Sequence, residues 1–202
     1  SSEGISLFVN TDGKIVVAGA VYSSEARNFS LVQYNSNGSL DTTFDGDGKA
    51  LSAFADEMDY SLINNITRQP DGKYLVACKV TDFTLTTSNF VIRRYNSDIT
   101  ADTGFGNNGR LSTMFDSGLN EAHAVAINSD NEIFGAGVAV GNGYSNFGVA
   151  KYNNNGSLDI TFGEDGKTKA IFEKANDRIK IALVTPDNKI IAVGTSAFRQ
   201  SN

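Results

Sequence analysis

Short apolar runs separated by polar turns recur along the whole chain. Residues 5–9 are mostly apolar, a polar turn with Asp12 and Gly13 follows, and residues 14–21 are almost continuously apolar. The next run, residues 29–34, alternates between apolar and polar positions. Alternation with a period of two indicates a strand with one covered face, and a short continuous apolar run indicates a strand covered on both faces. No stretch keeps a helical period, so the pattern predicts an all-β protein.

The same residue types occur three times along the chain, at a spacing of about 60 positions. Tyr34, Tyr95 and Tyr152 are 61 and 57 residues apart, and other columns keep these two spacings. The columns are Phe29/Phe90/Phe147, Asp41/Asp102/Asp159, Phe44/Phe105/Phe162, Gly48/Gly109/Gly166 and Phe54/Phe115/Phe172. Agreement at so many positions identifies an internal repeat.

Each repeat is predicted to contain four short antiparallel strands, which we name A to D. Strands A and B are joined by an Asp-Gly or Asp-Asn pair, which favours the positive φ angles of a tight hairpin. The turn between C and D is rich in Asn, Asp, Ser and Gly, which hydrogen-bond to their own backbone. Four strands in a unit of this length indicate a propeller blade. The alternatives are a parallel β-helix, whose coils are shorter, and tandem sandwiches, which have about seven strands each.

The chain contains about three and a half units in one repeat-array domain, residues 1–202. The units cover residues 4–54, 60–115, 119–172 and, in part, 177–202, and together they predict 14 strands. Propellers usually need at least four blades to close. We therefore expect an array of four-stranded antiparallel blades that this chain does not close alone. Its open edges would pair with further repeats of a longer chain or with a second copy, as a homodimer.

Composition narrows the class of partner. A net charge of −6 without a basic cluster argues against nucleic acid. No run of eighteen apolar residues occurs, so membrane insertion is not expected. No signal peptide is visible in this sequence. Few cysteines and abundant Asn, Ser, Thr, Asp and Gly are typical of bacterial surface proteins.

The C–D turn resembles a known bacterial repeat. The string Tyr-Asn-x-Asn-Gly-Ser-Leu-Asp-x-x-Phe spans residues 34–44 and 152–162, and Gly-x-x-Gly, Asp-Gly-Lys and a Val-Ala-Gly strand accompany it. These motifs resemble the delta-60 repeat family over essentially the whole chain. Unit two departs at residues 98–101, and Asn188 replaces the turn glycine of the last unit. The resemblance implies a β-propeller-like fold and an exported or cell-surface bacterial protein, and it transfers no catalytic residues.

No nucleophile–base pair or histidine-rich cluster is present. The single histidine, His123, shares its column with Ile5, Asn64 and Lys180, which favours a structural or exposed role. Cys78 stands in a column of glycines, where close packing requires a small residue. We therefore expect a protein that is not an enzyme. A glycan-acting enzyme is the weaker alternative, and its carboxylates would be Asp56, Glu57, Asp59, Asp116, Glu173 and Asp177.

No cofactor is expected, and calcium is the alternative. Asp45, Asp47 and Asp165 offer the oxygen ligands that Ca²⁺ prefers, but the alternating aspartates of a calcium loop are absent. The aspartate column Asp41, Asp102 and Asp159 is predicted to fix the C–D turn by accepting backbone N–H hydrogen bonds.

The B–C and D–A loops share one end of an up-and-down blade, which we name the variable face because their sequences differ between units. The A–B and C–D turns form the opposite, repeated face. Recognition usually resides in variable loops on a fixed scaffold. We predict a non-catalytic binding or adhesion scaffold for a carbohydrate or protein ligand, and the alternative is a structural spacer or assembly module. The candidate ligand-binding residues are Tyr22, Phe83, Tyr144, Asp56, Asp116 and Asp177.

Overall fold

The computed structural model describes residues 2–22, 27–53, 60–81, 88–116, 118–141, 143–172 and 175–198. These ranges contain 14 strands, as predicted. They are β1 (Ser2–Val9), β2 (Ile15–Tyr22), β3 (Arg27–Tyr34), β4 (Lys49–Ala53), β5 (Tyr60–Arg68), β6 (Tyr74–Thr81), β7 (Ser88–Tyr95), β8 (Arg110–Thr113), β9 (Glu121–Ile127), β10 (Ile133–Gly141), β11 (Tyr144–Tyr152), β12 (Lys167–Ala170), β13 (Ala175–Val184) and β14 (Ile190–Phe198). In the described part of the chain, no helix has the length and apolarity needed to cross a membrane.

The strands form antiparallel sheets in which each strand pairs with its neighbours in sequence. Blade 1 is β1–β4, blade 2 is β5–β8 and blade 3 is β9–β12, each with four strands, whereas blade 4 consists of β13 and β14. β1 contacts β5, β5 contacts β9, and β9 contacts β13, so the A strands are innermost. The predicted propeller-type array is confirmed, and this chain alone does not close it into a ring.

The hydrophobic core lies between successive blades. One apolar cluster joins blades 1 and 2, a second joins blades 2 and 3, and a third joins blades 3 and 4. The B strands of blades 2 and 3, β6 and β10, are buried on both faces over most of their length, which fits their continuous apolar sequence. The aromatic columns are confirmed as core positions at Phe29, Phe90, Phe105, Tyr95 and Tyr152, which are buried.

The aromatic column that ends strand D departs from this prediction at Phe172, which is exposed. Its counterpart Phe115 packs against Phe90 with ring centroids 5.1 Å apart, and Gly148 of β11 in the next blade approaches its ring. Phe172 keeps the equivalent contact with Phe147 at 5.3 Å. No C strand of blade 4 lies among the described residues, so the outer side of Phe172 is uncovered.

The turns adopt the conformations that their residue types favour. The A–B turns place Gly13, Gly72, Asn131 and Asn188 at φ angles of 80°, 90°, 60° and 61°. These are left-handed values, as the Asp-Gly and Asp-Asn pairs predict.

The aspartates that recur in each C–D turn, Asp41, Asp102 and Asp159, fix the conformation of these turns, which confirms their predicted role. Oδ1 of Asp41 accepts the backbone N–H of Thr43 at 3.1 Å, and Oδ1 of Asp159 accepts that of Thr161 at 3.1 Å. In blade 2, Asp102 accepts the N–H of Gly104 at 3.2 Å. The turn conformation is therefore set by a local side-chain hydrogen bond.

Each of these aspartates also binds a cation, and the cation changes position between blades. Lys14 of the A–B turn lies 2.8 Å from Asp41, and Lys73 repeats this contact with Asp102 at 2.8 Å. In blade 3 that turn carries a glutamate, and Lys151 of strand C contacts Asp159 at 2.8 Å instead. Each C–D aspartate thus keeps an ion pair with a lysine, although the lysine belongs to the A–B turn in blades 1 and 2 and to strand C in blade 3.

Candidate binding site on the inner strands

Every A strand contains one β-bulge. The pairing register with strand B shifts by one residue at the same place in all four blades. A bulge leaves one residue unpaired and re-aims its side chain. The unpaired residues are Ile5, Asn64, His123 and Lys180, the column that the sequence had marked as variable.

The bulge explains the column of small residues on strand B. A Cβ atom on Gly137 would lie 1.9 Å from the carbonyl oxygen of Glu121, and a Cβ on Gly194 would lie 2.1 Å from that of Arg178. The predicted need for a small residue is therefore confirmed. Cys78 occupies the column in blade 2 and is buried, and burial raises the pKa of its thiol to about 12. The thiol is accordingly unreactive.

A charged cluster lies beside these bulges and joins three blades. Oε2 of Glu121 on β9 lies 3.0 Å from Nε2 of His123, and it accepts a hydrogen bond from Nη2 of Arg178 on β13 at 2.9 Å. Oε1 of Glu121 pairs with Nζ of Lys79 on β6. Burial raises the pKa of Glu121, but the hydrogen bonds from His123 and Lys79 outweigh it and lower the pKa to about 2. Glu121 is therefore a carboxylate at neutral pH.

Two cavities border this cluster, and Glu121 and Arg178 contribute to both. The first, which we name the inner cavity, has a volume of about 400 Å³ along the inner strands. Its other main lining residues are Leu62, Asn64, Lys79, His123 and Lys180. The second, the Asp177 cavity, also measures about 400 Å³ and lies between blades 3 and 4, where Asp177, Ser145 and Thr195 help to line it. Both volumes fall within the range of small-molecule sites.

Asp177 is the buried acid of the second cavity. The residue is only 1% exposed, and its Oδ2 accepts the backbone N–H of Phe172 at 3.4 Å. Its Oδ1 is buried without a hydrogen-bond partner among the described residues. In blade 3 the same column holds Asn120, whose Oδ1 accepts the N–H of Val140 at 3.3 Å. The side-chain Oδ1 at this position is therefore hydrogen-bonded in blade 3, where the residue is Asn120, but not in blade 4, where it is Asp177, among the described residues.

Of the other predicted ligand-binding residues, the three that the structure describes do not line the Asp177 cavity. Asp116 pairs with Lys169 of the outer strand β12 at 2.6 Å, on the outer side of blades 2 and 3. Tyr22 packs against the core cluster of blades 1 and 2, whereas Tyr144 begins β11 in blade 3. Phe83 and Asp56 lie outside the described residues, and so do the further carboxylates named for a glycan-acting enzyme, Glu57, Asp59 and Glu173.

The calcium candidates lie apart from this site, in C–D turns of the repeated face. Oδ1 of Asp47 accepts the backbone N–H of Lys49 at 2.9 Å. Asp45 and Asp165 are exposed at φ angles of 48° and 49°, respectively. Over the described ranges, no three His, Cys, Asp or Glu side chains group closely enough to hold a metal ion.

Sequence reasoning missed Glu121, Lys79 and Arg178 as members of one cluster. Their columns lie within strands, whereas the predicted ligand site lay in the variable loops. One signal was present, because the column of Glu121 reads Glu3, Leu62, Glu121 and Arg178 in successive units. Because the charge at this position changes between repeats, the packing of the blade does not require one residue type there. Such a position on an inner strand is free to serve a function that differs between blades.

The family comparison agrees with this architecture. A family model described as "Domain of unknown function (DUF5122) beta-propeller" matches residues 11–44, 69–105 and 128–162. The chain belongs to this family. The matches cover slightly more than half of the chain, and each runs from an A–B turn through strands B and C to the phenylalanine of the C–D turn. The DUF5122 description states a fold and no activity, and no curated protein matches this chain.

The folded chain is expected to lose stability as the pH falls from about 4.5 to about 2. The pKa of Asp159 is lowered from 3.8 to about 2 by hydrogen bonds from Lys151 and Thr161, and that of Glu121 from 4.5 to about 2. A carboxyl group whose pKa is lowered by folding stabilises the fold above its unfolded pKa, and this contribution disappears as the folded pKa is approached. Thermal unfolding midpoints across this range test the expectation. The double variant Glu121→Gln/Asp159→Asn should show a shallower decline, and an equally steep one would contradict it.

Proposed function

We propose that this array is a non-catalytic binding or adhesion module of an exported bacterial protein, of the delta-60 repeat kind. Its ligand, a carbohydrate or a protein, is held at the variable-face end of the inner strands. The observation that carries the proposal is the buried Oδ1 of Asp177, which lacks a partner among the described residues beside a cavity of about 400 Å³.

A buried acceptor without a partner costs about 1–3 kcal/mol, which a ligand donor can offset. The surrounding groups also suit a ligand that both donates and accepts hydrogen bonds. Ser145 and Thr195 carry hydroxyl groups, which do both, and the guanidinium of Arg178 only donates. Sugar hydroxyl groups or peptide amides match this mixed set.

The electrostatics of Glu121 favour binding over glycan hydrolysis. A glycosidase needs one carboxyl group with a raised pKa as its acid and a second carboxylate across the bond to be cleaved. The pKa of Glu121 is instead lowered to about 2, and both of its oxygens are held by cations. A glycan-acting enzyme therefore stays the weaker alternative.

Glycan and peptide arrays probed with the whole chain test the proposal. We expect binding that Asp177→Asn weakens at least tenfold, because the carboxylate then becomes the amide that blade 3 carries at this position. The variant should fold, since Asn120 occupies the same column. Asp187→Asn in the A–B turn of blade 4 makes the same charge change on the repeated face and serves as the control. Absence of any ligand, or equal effects of the two variants, would refute the proposal, and release of sugar from a glycan would favour the enzyme.

A second candidate, an assembly module, is favoured by the apolar ends of the array. On blade 4, Ile181 and Val193 are 59% and 51% exposed, although their counterparts Ala124 and Ala136 in blade 3 are buried by the next blade. On blade 1, Leu7 is 62% exposed, whereas its counterpart Ile66 is buried against the preceding blade. The two ends thus display the complementary halves of the interface that joins blades within the chain. Further blades of the same kind, from a second copy or from additional repeats, would cover them.

Light scattering after size-exclusion chromatography tests the assembly role. We expect a mass near twice 21.6 kDa or above, because exposed apolar surface of this extent favours association. Ile181→Lys/Val193→Lys should return the chain to a monomer. Ile160→Lys, at an exposed isoleucine of a C–D turn, should leave the mass unchanged. A wild-type monomer at high concentration would count against assembly between copies.

A further inference from the structure

We infer that the inner cavity is a binding site for a small anion that carries carboxylate, sulfate or phosphate oxygens. The inference deepens the proposed function by naming a ligand class, and it rests on that proposal in taking the inner strands as the ligand side. It concerns a different cavity from that of Asp177.

The inner cavity has a surplus of positive charge in a negatively charged protein. Lys79, Arg178 and Lys180 line it and carry three positive charges, while Glu121 carries one negative charge. With His123 neutral, the local net charge is therefore +2, against −6 for the whole chain. A concave surface lined by one sign of charge concentrates ions of the opposite sign.

The exposures of these groups decide which charge an incoming ion meets first. The side chain of Glu121 is 9% exposed, whereas those of Lys79 and Arg178 are 28% and 48% exposed. The Glu121 carboxylate is thus the most buried of these three groups, and the two cations are more exposed to solvent. An incoming anion therefore meets the exposed cations before the Glu121 carboxylate, which is already paired with Lys79 and Arg178.

Among the described residues, donors of Arg178 and Lys180 remain free after the internal ion pairs are made. Arg178 uses Nη2 for Glu121, so the other guanidinium N–H groups can bind a second anion. Lys180 has no ion pair within the described residues, and it is the unpaired residue of the β13 bulge. Charge-assisted hydrogen bonds from such groups are the strong contacts of carboxylate, sulfate and phosphate recognition.

A polar acceptor completes the wall of the cavity. Nδ2 of Asn64 donates to the backbone oxygen of Ala122 at 2.7 Å, which holds the carboxamide in place. The amide oxygen can therefore accept from a hydroxyl group of a ligand. An acidic sugar presents a carboxylate together with hydroxyl groups, so it can use both features, whereas sulfate has no hydroxyl group at neutral pH and uses the cations alone.

The single histidine of the chain supplies a direct reporter for this cavity. His123 is the only histidine in the sequence and lines the cavity, so its ring gives one unambiguous set of imidazole NMR signals. Titration of the whole chain at low ionic strength with sodium glucuronate, sulfate or phosphate should shift these signals in a saturable way. Neutral glucose should not. A response to glucuronate alone would identify an acidic sugar as the source, and a response to all three would identify any such oxygen anion.

Two matched lysine variants complete the test. Lys180→Gln removes a cation of the cavity that supports no internal ion pair, so it should weaken anion binding about tenfold without loss of stability. Lys189→Gln makes the same charge change in an A–B turn on the repeated face and should leave the affinity unchanged.

The outcomes separate this site from the proposed function. The anion site is overturned by the absence of any saturable His123 response, by an equal response to glucose, or by equal effects of the two variants. Array binding that depends on Asp177 without a His123 response to anions would overturn the anion site alone. A His123 response without any array ligand would support the anion site and refute binding through Asp177.

Discussion

Replacing Phe105 by alanine is expected to lower the free energy of unfolding by about 3–5 kcal/mol. Phe105 is fully buried in the cluster between blades 2 and 3. The guanidinium carbon of Arg94 lies 4.2 Å from its ring centroid, and Gly156 of the blade 3 C–D turn approaches its edge. Removal of the ring would open a cavity and uncover one side of Arg94 at the seam between these blades.

The repeat provides a matched control for this variant. Phe44 occupies the same column in blade 1 but is only half-buried. Phe44→Ala should therefore cost less, about 1–2 kcal/mol, because less apolar surface is removed from contact. Urea unfolding of both variants at low protein concentration tests the expectation. Equal losses at the two positions would mean that these phenylalanines stabilise the fold through the turn motif and not through burial between blades.

Replacing Gly137 by alanine is expected to lower the free energy of unfolding by about 1–3 kcal/mol or more. The new Cβ would lie 1.9 Å from the carbonyl oxygen of Glu121 and 2.9 Å from Cε2 of Phe90. Relief requires a shift of the β9 bulge, whose backbone atoms make the shortest contacts, together with a shift of the aromatic ring. Cys78 shows that the column accepts a Cβ in blade 2, so the added contact with Phe90 is a second obstacle specific to blade 3.

Gly104 provides the control for the loss of a glycine. A Cβ on Gly104 would meet only Oδ1 of Asp102, at 3.5 Å, so Gly104→Ala should be neutral or slightly stabilising. Gly137→Ala should also alter the imidazole signals of His123, because the bulge sets the position of this ring. A Gly137→Ala protein with wild-type stability and an unchanged His123 spectrum would contradict the role assigned to the glycine.

The bulge links the fold to both proposals. It is a backbone feature required by the pairing of strands A and B, and it recurs with different side chains in every blade. The scaffold therefore keeps one backbone geometry while Ile5, Asn64, His123 and Lys180 vary along the inner strands. A binding array can change its ligand through this column without a change in packing.

The strands and turns were predictable because they depend on interactions between residues close together in the sequence. The hydrophobic periods predicted the strands, and the Asp-Gly, Asp-Asn and Asn-Gly pairs predicted the turns, because these depend on residues a few positions apart. The aspartates of the C–D turns were assigned correctly for the same reason, since Asp41 accepts the N–H group of Thr43, two residues away. Repetition of these signals made the propeller-type array recognisable.

The candidate site could not be predicted in the same way. Glu121 meets Lys79 and Arg178 across sequence separations of 42 and 57 residues, on three different blades. The repeat fixes the column of each residue within its blade but not which columns meet between blades. The exposure of Phe172 was missed for a related reason, because burial in a propeller depends on the neighbouring blade.

The sequence alone determined the number of strands, the turn conformations, the repeat and the propeller-type class of this protein. Only the tertiary structure decided that the bulge column and a charged cluster share the inner strands, that Oδ1 of Asp177 has no hydrogen-bond partner among the described residues, and that the end blades expose apolar faces. The physical reason is the range of the interactions: hydrogen bonds and side-chain periodicity act within a few residues, whereas the packing of one blade on the next brings together residues from separate repeats.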